Sequence, residues 1–125
     1  MIENRLKKLL DDGKPAFGIQ LRFGTAAIAE LAGLAGFDWV LIDTEHAPQT
    51  PDSVQAQLQA AACTRTTPVV RAAKNDPDLI KLYLDMGALG IVVPFVNTPE
   101  EALFVFENSE LDGLILNDYL ILKKV

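Results

Sequence analysis

The sequence predicts an α/β fold in a single domain, and three observations predict it. Short apolar runs alternate with amphipathic stretches, Gly, Pro, Asp or Asn stands at the joints, and the runs are apolar on both faces. Strands read that way when helices cover both sides of a parallel sheet. At 125 residues the chain can bury an ordinary core, but it has only about half the ~250 residues of a closed (β/α)₈ barrel. The alternation leads to a barrel or a doubly wound sheet, and periodicity does not separate the two.

The elements follow in order. The opening MIENRLKKLLDDGKP has a basic pair but no apolar core segment or small-residue cleavage site, so it reads as a short amphipathic helix and not a signal peptide. Strands are expected at residues 16–21 (AFGIQL), 38–42 (DWVLI), 67–71 (TPVVR) and 90–93 (GIVV), and helices at 25–35, 52–63, 77–86 and 98–106. Asp76-Pro77 and Thr98-Pro99 each put a capping side chain before a proline in the first helical turn, and Glu100 and Glu101 add favourable charge there. Gly33, Gly36, Gly87 and Gly90 stand near helix ends or just before the next strand, where a left-handed residue turns the chain back. No linker, low-complexity segment or close internal repeat marks a domain boundary.

Composition narrows the function classes. Eleven Lys and Arg against 17 Asp and Glu give a net charge of −6, which disfavours nucleic acid and anionic membrane as partners. Charged positions interrupt every apolar run before the roughly 18 residues a membrane span needs. A cytoplasmic protein acting on small molecules is the expectation. The single Cys63 has no disulfide partner and belongs to no zinc-spaced set, so it reads as a core or boundary residue. No phosphate-binding glycine loop and no serine nucleophile elbow occurs.

In either architecture the functional face lies at the carboxyl ends of the strands. The second strand runs straight into Asp43, Thr44, Glu45, His46, Ala47 and Pro48, bringing two carboxylates and the only histidine into four residues. The third ends on Arg71, and the first passes through Gln20 and Arg22 before Gly24. His46 is a candidate general base, with Asp43 or Glu45 to orient it, against the plainer reading of a loop histidine bonded to turn backbone. Asp43 and Glu45 could organise a hard divalent ion, which prefers oxygen ligands, or simply solvate and cap a loop. Arg71 could grip a carboxylate bidentately and stabilise an enolate, or close a strand end as an ion pair. Trp39 and Phe37, at the entry of the second strand, read as core.

Three ordered blocks carry a family likeness: GFDWVLIDTEHAP (36–48), PVVRAAKNDP (68–77) and LDMGALGIVVPFVNTPEEA (84–102). Together with the opening NRLKKLLDDGKPAFGIQL they resemble the HpcH/HpaI aldolases, the metal-dependent class II pyruvate aldolases of 4-hydroxy-2-oxoheptanedioate type, over about residues 4–103, with 104–125 divergent. The resemblance implies a partial TIM (β/α)₈-type barrel, roughly the first four βα units plus a short C-terminal element, in one truncated domain over 1–125. It implies a carbon–carbon lyase that cleaves 2-oxo acids through a pyruvate enolate. The cofactor would be Mg²⁺ or Mn²⁺, with Co²⁺ a further candidate, and no organic cofactor. His46 would be the acid/base group, Arg71 would stabilise the enolate and bind substrate, and Gln20 would line the pyruvate site. Asp43 and Glu45 would order water near the metal. Asp85, in the block LDMGA, would sit at a helix C-terminus far from its own site and serve a neighbouring subunit's, if any.

After residue 103 the family's Arg-Gly loop and the strand with its metal-binding Glu are not visible. LDGLILND (111–118) resembles the strand with the metal-binding Asp, which would make Asp118 a ligand. A halved barrel also leaves open strand edges, so a homo-oligomer that closes the sheet is expected. The alternative reading is a catalytically silent half-barrel acting as an assembly or carboxylate-binding module.

Overall fold

The computed structural model describes residues 3–108, 113–116 and 119–122. Four strands, β1 (Gly18–Leu21), β2 (Trp39–Asp43), β3 (Thr67–Arg71) and β4 (Gly90–Val92), form one sheet in sequence order. All three pairings are parallel. Helices α2 (Ala26–Leu34), α3 (Pro51–Ala62) and α4 (Pro77–Asp85) make the crossovers, α1 (Arg5–Asp11) precedes β1, and α5 (Pro99–Glu107) follows β4. A strand whose neighbours are consecutive and parallel is the repeating unit of a (β/α) barrel wall. The interrupted order of a doubly wound sheet is not seen.

The capping chemistry starts the helices where the sequence implied. Asp76 accepts from the N–H groups of Asp78 and Leu79, Thr98 from that of Glu101, and Thr50 and Ser53 form a reciprocal capping box at α3. Gly36 and Gly87 take positive φ just beyond α2 and α4 and turn the chain into the next strand. Gly33 and Gly90 do a different job. Gly33 lies inside α2, where a Cβ would come within 2.2 Å of the Thr64 hydroxyl, and Gly90 opens β4 against Val69. Their small size serves close packing.

The register sorts side chains into two faces. Leu21, Val40, Ile42 and Val70 are buried against Ala29 and Ala32 of α2 and Val54, Leu58 and Ala61 of α3, forming the main core. Alternation sends Gln20, Trp39, Leu41, Asp43, Val69 and Arg71 to the opposite face, which is the concave side of a barrel wall. The amino end of the sheet is closed by α1. Asn4 donates to the Leu89 carbonyl, Leu6 N–H to the Thr67 hydroxyl, and Arg5 pairs with the largely buried Asp38 at 2.8 Å. The carboxyl end is left for the loops. Gly113–Leu116 (β5) and Tyr119–Leu122 (β6) pair antiparallel in a separate two-stranded sheet. The segment read as a metal-ligand strand therefore does not continue the parallel wall beside β4, and Asp118 itself lies outside the described residues.

Gly18 has a local reason on the concave face. A Cβ there would sit 2.1 Å from the Trp39 indole, so the ring lies over bare backbone. Gly18→Ala is expected to displace the ring at a cost of about 1–3 kcal/mol. Because Trp39 is the sole tryptophan, a urea titration followed by its emission reads both effects, and an unchanged midpoint would contradict this packing.

Candidate active site

Asp43 and Arg71 are the last residues of β2 and β3 and are direct partners in the register. Same-face neighbours on adjacent parallel strands must touch, so a carboxylate and a guanidinium at this pair of positions form an ion pair by construction. Arg71 Nη2 donates to Asp43 Oδ2 at 2.6 Å and Nε to Oδ1 at 3.0 Å. This is the bidentate fork geometry. The Asp43 side chain has no exposed surface and that of Arg71 about a fifth of its own.

The remaining lone pairs of Asp43 are also used. Oδ1 accepts the backbone N–H groups of Glu45 (3.0 Å) and His46 (3.1 Å), and Oδ2 accepts the Gln20 amide at 2.6 Å. The Arg22 Nε stands 3.8 Å away. Burial alone raises a carboxyl pKa, but Arg71, the His46 N–H, the Gln20 amide and the Glu45 N–H all favour the charged form. The balance holds Asp43 well below the usual carboxylate range. Asp43 in turn raises the pKa of Arg71 through their hydrogen bond, so the guanidinium stays charged.

Glu45 comes round to the same guanidinium, its Oε2 3.3 Å from Arg71 Nε, and reaches His46 Nε2 at 3.6 Å. His46 keeps 55 % of its side chain exposed. Of the two carboxylates offered by sequence to orient the imidazole, only Glu45 approaches the ring, while Asp43 takes the His46 backbone N–H. Arg22 Nη2 donates to the His46 carbonyl at 2.9 Å, tying the loop after β1 to the loop after β2. Thus Gln20, Asp43, Glu45, His46 and Arg71 gather on one rim, and Arg22 joins them. Asp85 does not: it is the exposed last residue of α4, at the opposite end of the sheet.

Sequence reasoning missed the supports. Thr44 gives both its N–H (3.1 Å) and its hydroxyl (2.6 Å) to the Arg71 carbonyl, and the buried Tyr83 of α4 donates to that hydroxyl at 3.4 Å. A tyrosine in an amphipathic helix carries no signal that its hydroxyl reaches Thr44, 39 residues earlier in the chain. Phe95, just past β4, is exposed and holds a positive φ of 57°, a strained backbone for an aromatic residue.

Chemically, the rim offers a fixed cation whose Nη1 amino group makes no hydrogen bond among the described residues, beside an accessible imidazole. A divalent ion is less well served. Both Asp43 oxygens are committed, which leaves Glu45 as the rim's available carboxylate, and among the described residues no three His, Cys, Asp or Glu side chains come together as a metal set. The described residues therefore do not fit a metal by themselves. Also among them, no helix is long and apolar enough to cross a membrane.

The depressed Asp43 pKa has a defined consequence for stability. Its contribution is complete above the unfolded value of about 4 and is lost as pH falls from there towards the lower folded value. Asp43→Asn is expected to cost about 1.5–3 kcal/mol at neutral pH and to flatten the acid-side loss. Asp38, whose pKa the Phe17 N–H and Arg5 also lower, leaves a residual slope. Urea midpoints across the acid range check this, and a variant with an unchanged slope would contradict it.

Residues 18–110 match the family model described as HpcH/HpaI aldolase/citrate lyase. The hydroxypyruvate/pyruvate aldolase of Paraburkholderia phytofirmans is 46 % identical over 99 residues, which is 79 % of this chain and 37 % of that protein. The 4-hydroxy-2-oxo-heptane-1,7-dioate aldolase of Escherichia coli (strain ATCC 8739) is 46 % identical over 101 residues, 81 % of this chain and 38 % of that one. The crystal structure of an HpcH/HpaI aldolase/citrate lyase family protein from Burkholderia cenocepacia J2315 superposes with a TM-score of 0.79 at 38 % identity, covering 87 % of this chain and 44 % of that chain. The chain spans under two-fifths of the length of those two curated relatives. Four consecutive βα units in parallel register are thus part of a TIM-type barrel wall, and the chain belongs to the HpcH/HpaI aldolase/citrate lyase family.

Proposed function

We propose that the rim serves a 2-oxo acid aldolase of the pyruvate type, with Arg71 binding the substrate's oxygen atoms and His46 moving the proton. The observation that carries this reading is the Arg71 guanidinium, locked in orientation by Asp43 while its Nη1 group stays unbonded among the described residues. In a 4-hydroxy-2-oxo acid the imidazole takes the C4 hydroxyl proton, the C3–C4 bond breaks, and its electron pair moves through C3 onto the C2 oxygen. The aldehyde leaves. The enolate oxygen so formed is what a fixed guanidinium stabilises more than the neutral ketone it came from. A proton delivered to C3 then yields pyruvate. In this reading Gln20 lines the pyruvate site, and the proposal includes Mg²⁺ or Mn²⁺ dependence with Glu45 in the ion's water shell. It also includes a cytoplasmic, homo-oligomeric protein, a single domain over 1–125, and Asp85 directed to a neighbour's rim.

A second reading has a specific observation behind it. Since no metal-ligating trio occurs among the described residues, a silent half-barrel that binds carboxylates through Arg71 without bond chemistry is the alternative.

Oxaloacetate separates the two. Losing CO₂ from it leaves the same enolate without any hydroxyl proton to remove. Purified chain with Mn²⁺ is expected to release pyruvate, to stop with chelator, and to slow about 10²–10³-fold in Arg71→Ala. His46→Asn is expected to spare this decarboxylation and to slow cleavage of a 4-hydroxy-2-oxo acid about 10²–10⁴-fold. Turnover no greater than that of free Mn²⁺, from protein shown to be folded, would overturn the aldolase reading in favour of the silent module.

A further inference from the structure

The loop presenting Glu45 and His46 is held at one end by Asp43, which accepts both backbone N–H groups. Its other end is held from below. Gln57 of α3 has no exposed surface, and its amide nitrogen donates to Gln49 Oε1 at 2.8 Å and to the Ser53 carbonyl at 3.0 Å. Ser53 Oγ, which caps α3, lies 2.9 Å from the same Gln49 Oε1. Both donations from Gln57 go to acceptors, so turning its amide over would set oxygen against oxygen, and turning over that of Gln49 would set nitrogen against nitrogen. The Gln49 N–H bonds back to the Ala47 carbonyl, and Pro48 has a restricted φ. Between the amides fixed by Asp43 and the side chain fixed by Gln57, only Ala47 and Pro48 intervene. The loop after β1 abuts the same cluster, where a Cβ on Gly24 would lie 3.2 Å from Gln49 Oε1.

A buried amide is a poor choice for stability at this position. Gln57 Oε1 and Gln49 Nε2 are both sealed and have no hydrogen-bond partner among the described residues, and unsatisfied buried polar atoms destabilise a fold. An apolar side chain of the same length would pack between Val54 and Leu58 on that face of α3 without such a loss.

We infer that Gln57 is a positioning residue: through Gln49 it sets where the loop presents Glu45 and His46 to the rim. The inference rests on the reading of His46 as the proton-transfer group, but the geometry it concerns is measurable without turnover. Gln57 trades fold stability for loop order.

The test is Gln57→Met, which keeps volume and removes both donated hydrogen bonds, followed by amide hydrogen exchange. The backbone N–H groups of Glu45 and His46 are expected to exchange about tenfold faster or more, while that of Val70 in the core holds its rate and the urea midpoint stays the same or rises. Gln49→Met is expected to act alike, and the double variant to add nothing further, because the two side chains work as one contact. In an active preparation, kcat for 4-hydroxy-2-oxo acid cleavage falls while KM and oxaloacetate decarboxylation hold. Unchanged exchange at Glu45 and His46 would overturn the inference. So would a parallel rise at Val70 with a lower midpoint, which would make Gln57 merely structural. An inactive chain with the predicted exchange pattern would count against the aldolase reading alone.

Discussion

Everything at the carboxyl rim hangs on a carboxylate that was taken out of water. Asp43 is buried at the end of β2, and a buried, unpaired carboxylate would be far too costly to keep. Its five hydrogen bonds, from Arg71 twice, Gln20, and the N–H groups of Glu45 and His46, compensate that cost and dictate the site at the same time. The donors come from three pieces of the rim. β1 supplies Gln20, β3 supplies Arg71, and the loop after β2 folds back on its own strand end. One charge therefore draws three chain segments to a point.

The same pair explains a division of labour between the two arginines. Arg71 is pinned by Asp43 on its Nε/Nη2 edge and by Thr44 at its carbonyl, so its guanidinium is ordered before any ligand arrives. That order is what lets a cation favour an enolate over a ketone instead of following whatever charge is nearest. Arg22 is mostly exposed, stands at a longer distance from Asp43 and spends a donor on the His46 carbonyl. It links loops. The two ends of the sheet are also unlike: α1 seals the amino end through Asn4, Arg5 and Leu6, while the carboxyl end carries the polar loops.

Much of this was legible in the chain. Short runs such as DWVLI and TPVVR read as buried parallel strands, and Asp76-Pro77 and Thr98-Pro99 marked helix starts. The rule that function follows strand ends picked out Asp43, His46 and Arg71 without any distances. Register explains why Asp43 and Arg71 come together: residues ending neighbouring parallel strands are obliged to meet. Other contacts were illegible for the converse reason. Gly33 reads as a helix stop but is a gap for Thr64, and Gln57 reads as one more polar residue of an amphipathic helix. Side chains that meet by packing across elements leave no spacing in the sequence. The segment 111–118 resembles the family's ligand-bearing barrel strand, yet Gly113–Leu116 finds an antiparallel partner in Tyr119–Leu122, a choice that local apolar content cannot decide.

The central claim is that Asp43 acts by orienting Arg71, and binding of oxalate, a planar mimic of the pyruvate enolate, tests it most directly. Calorimetric titration with Mn²⁺ present would compare the wild-type chain with Asp43→Asn. Simple charge counting predicts tighter binding when a negative residue is removed beside an anion site. The expected result is the reverse, a loss of about tenfold or more, because the released guanidinium no longer faces the ligand. Equal or tighter binding by the variant would contradict it.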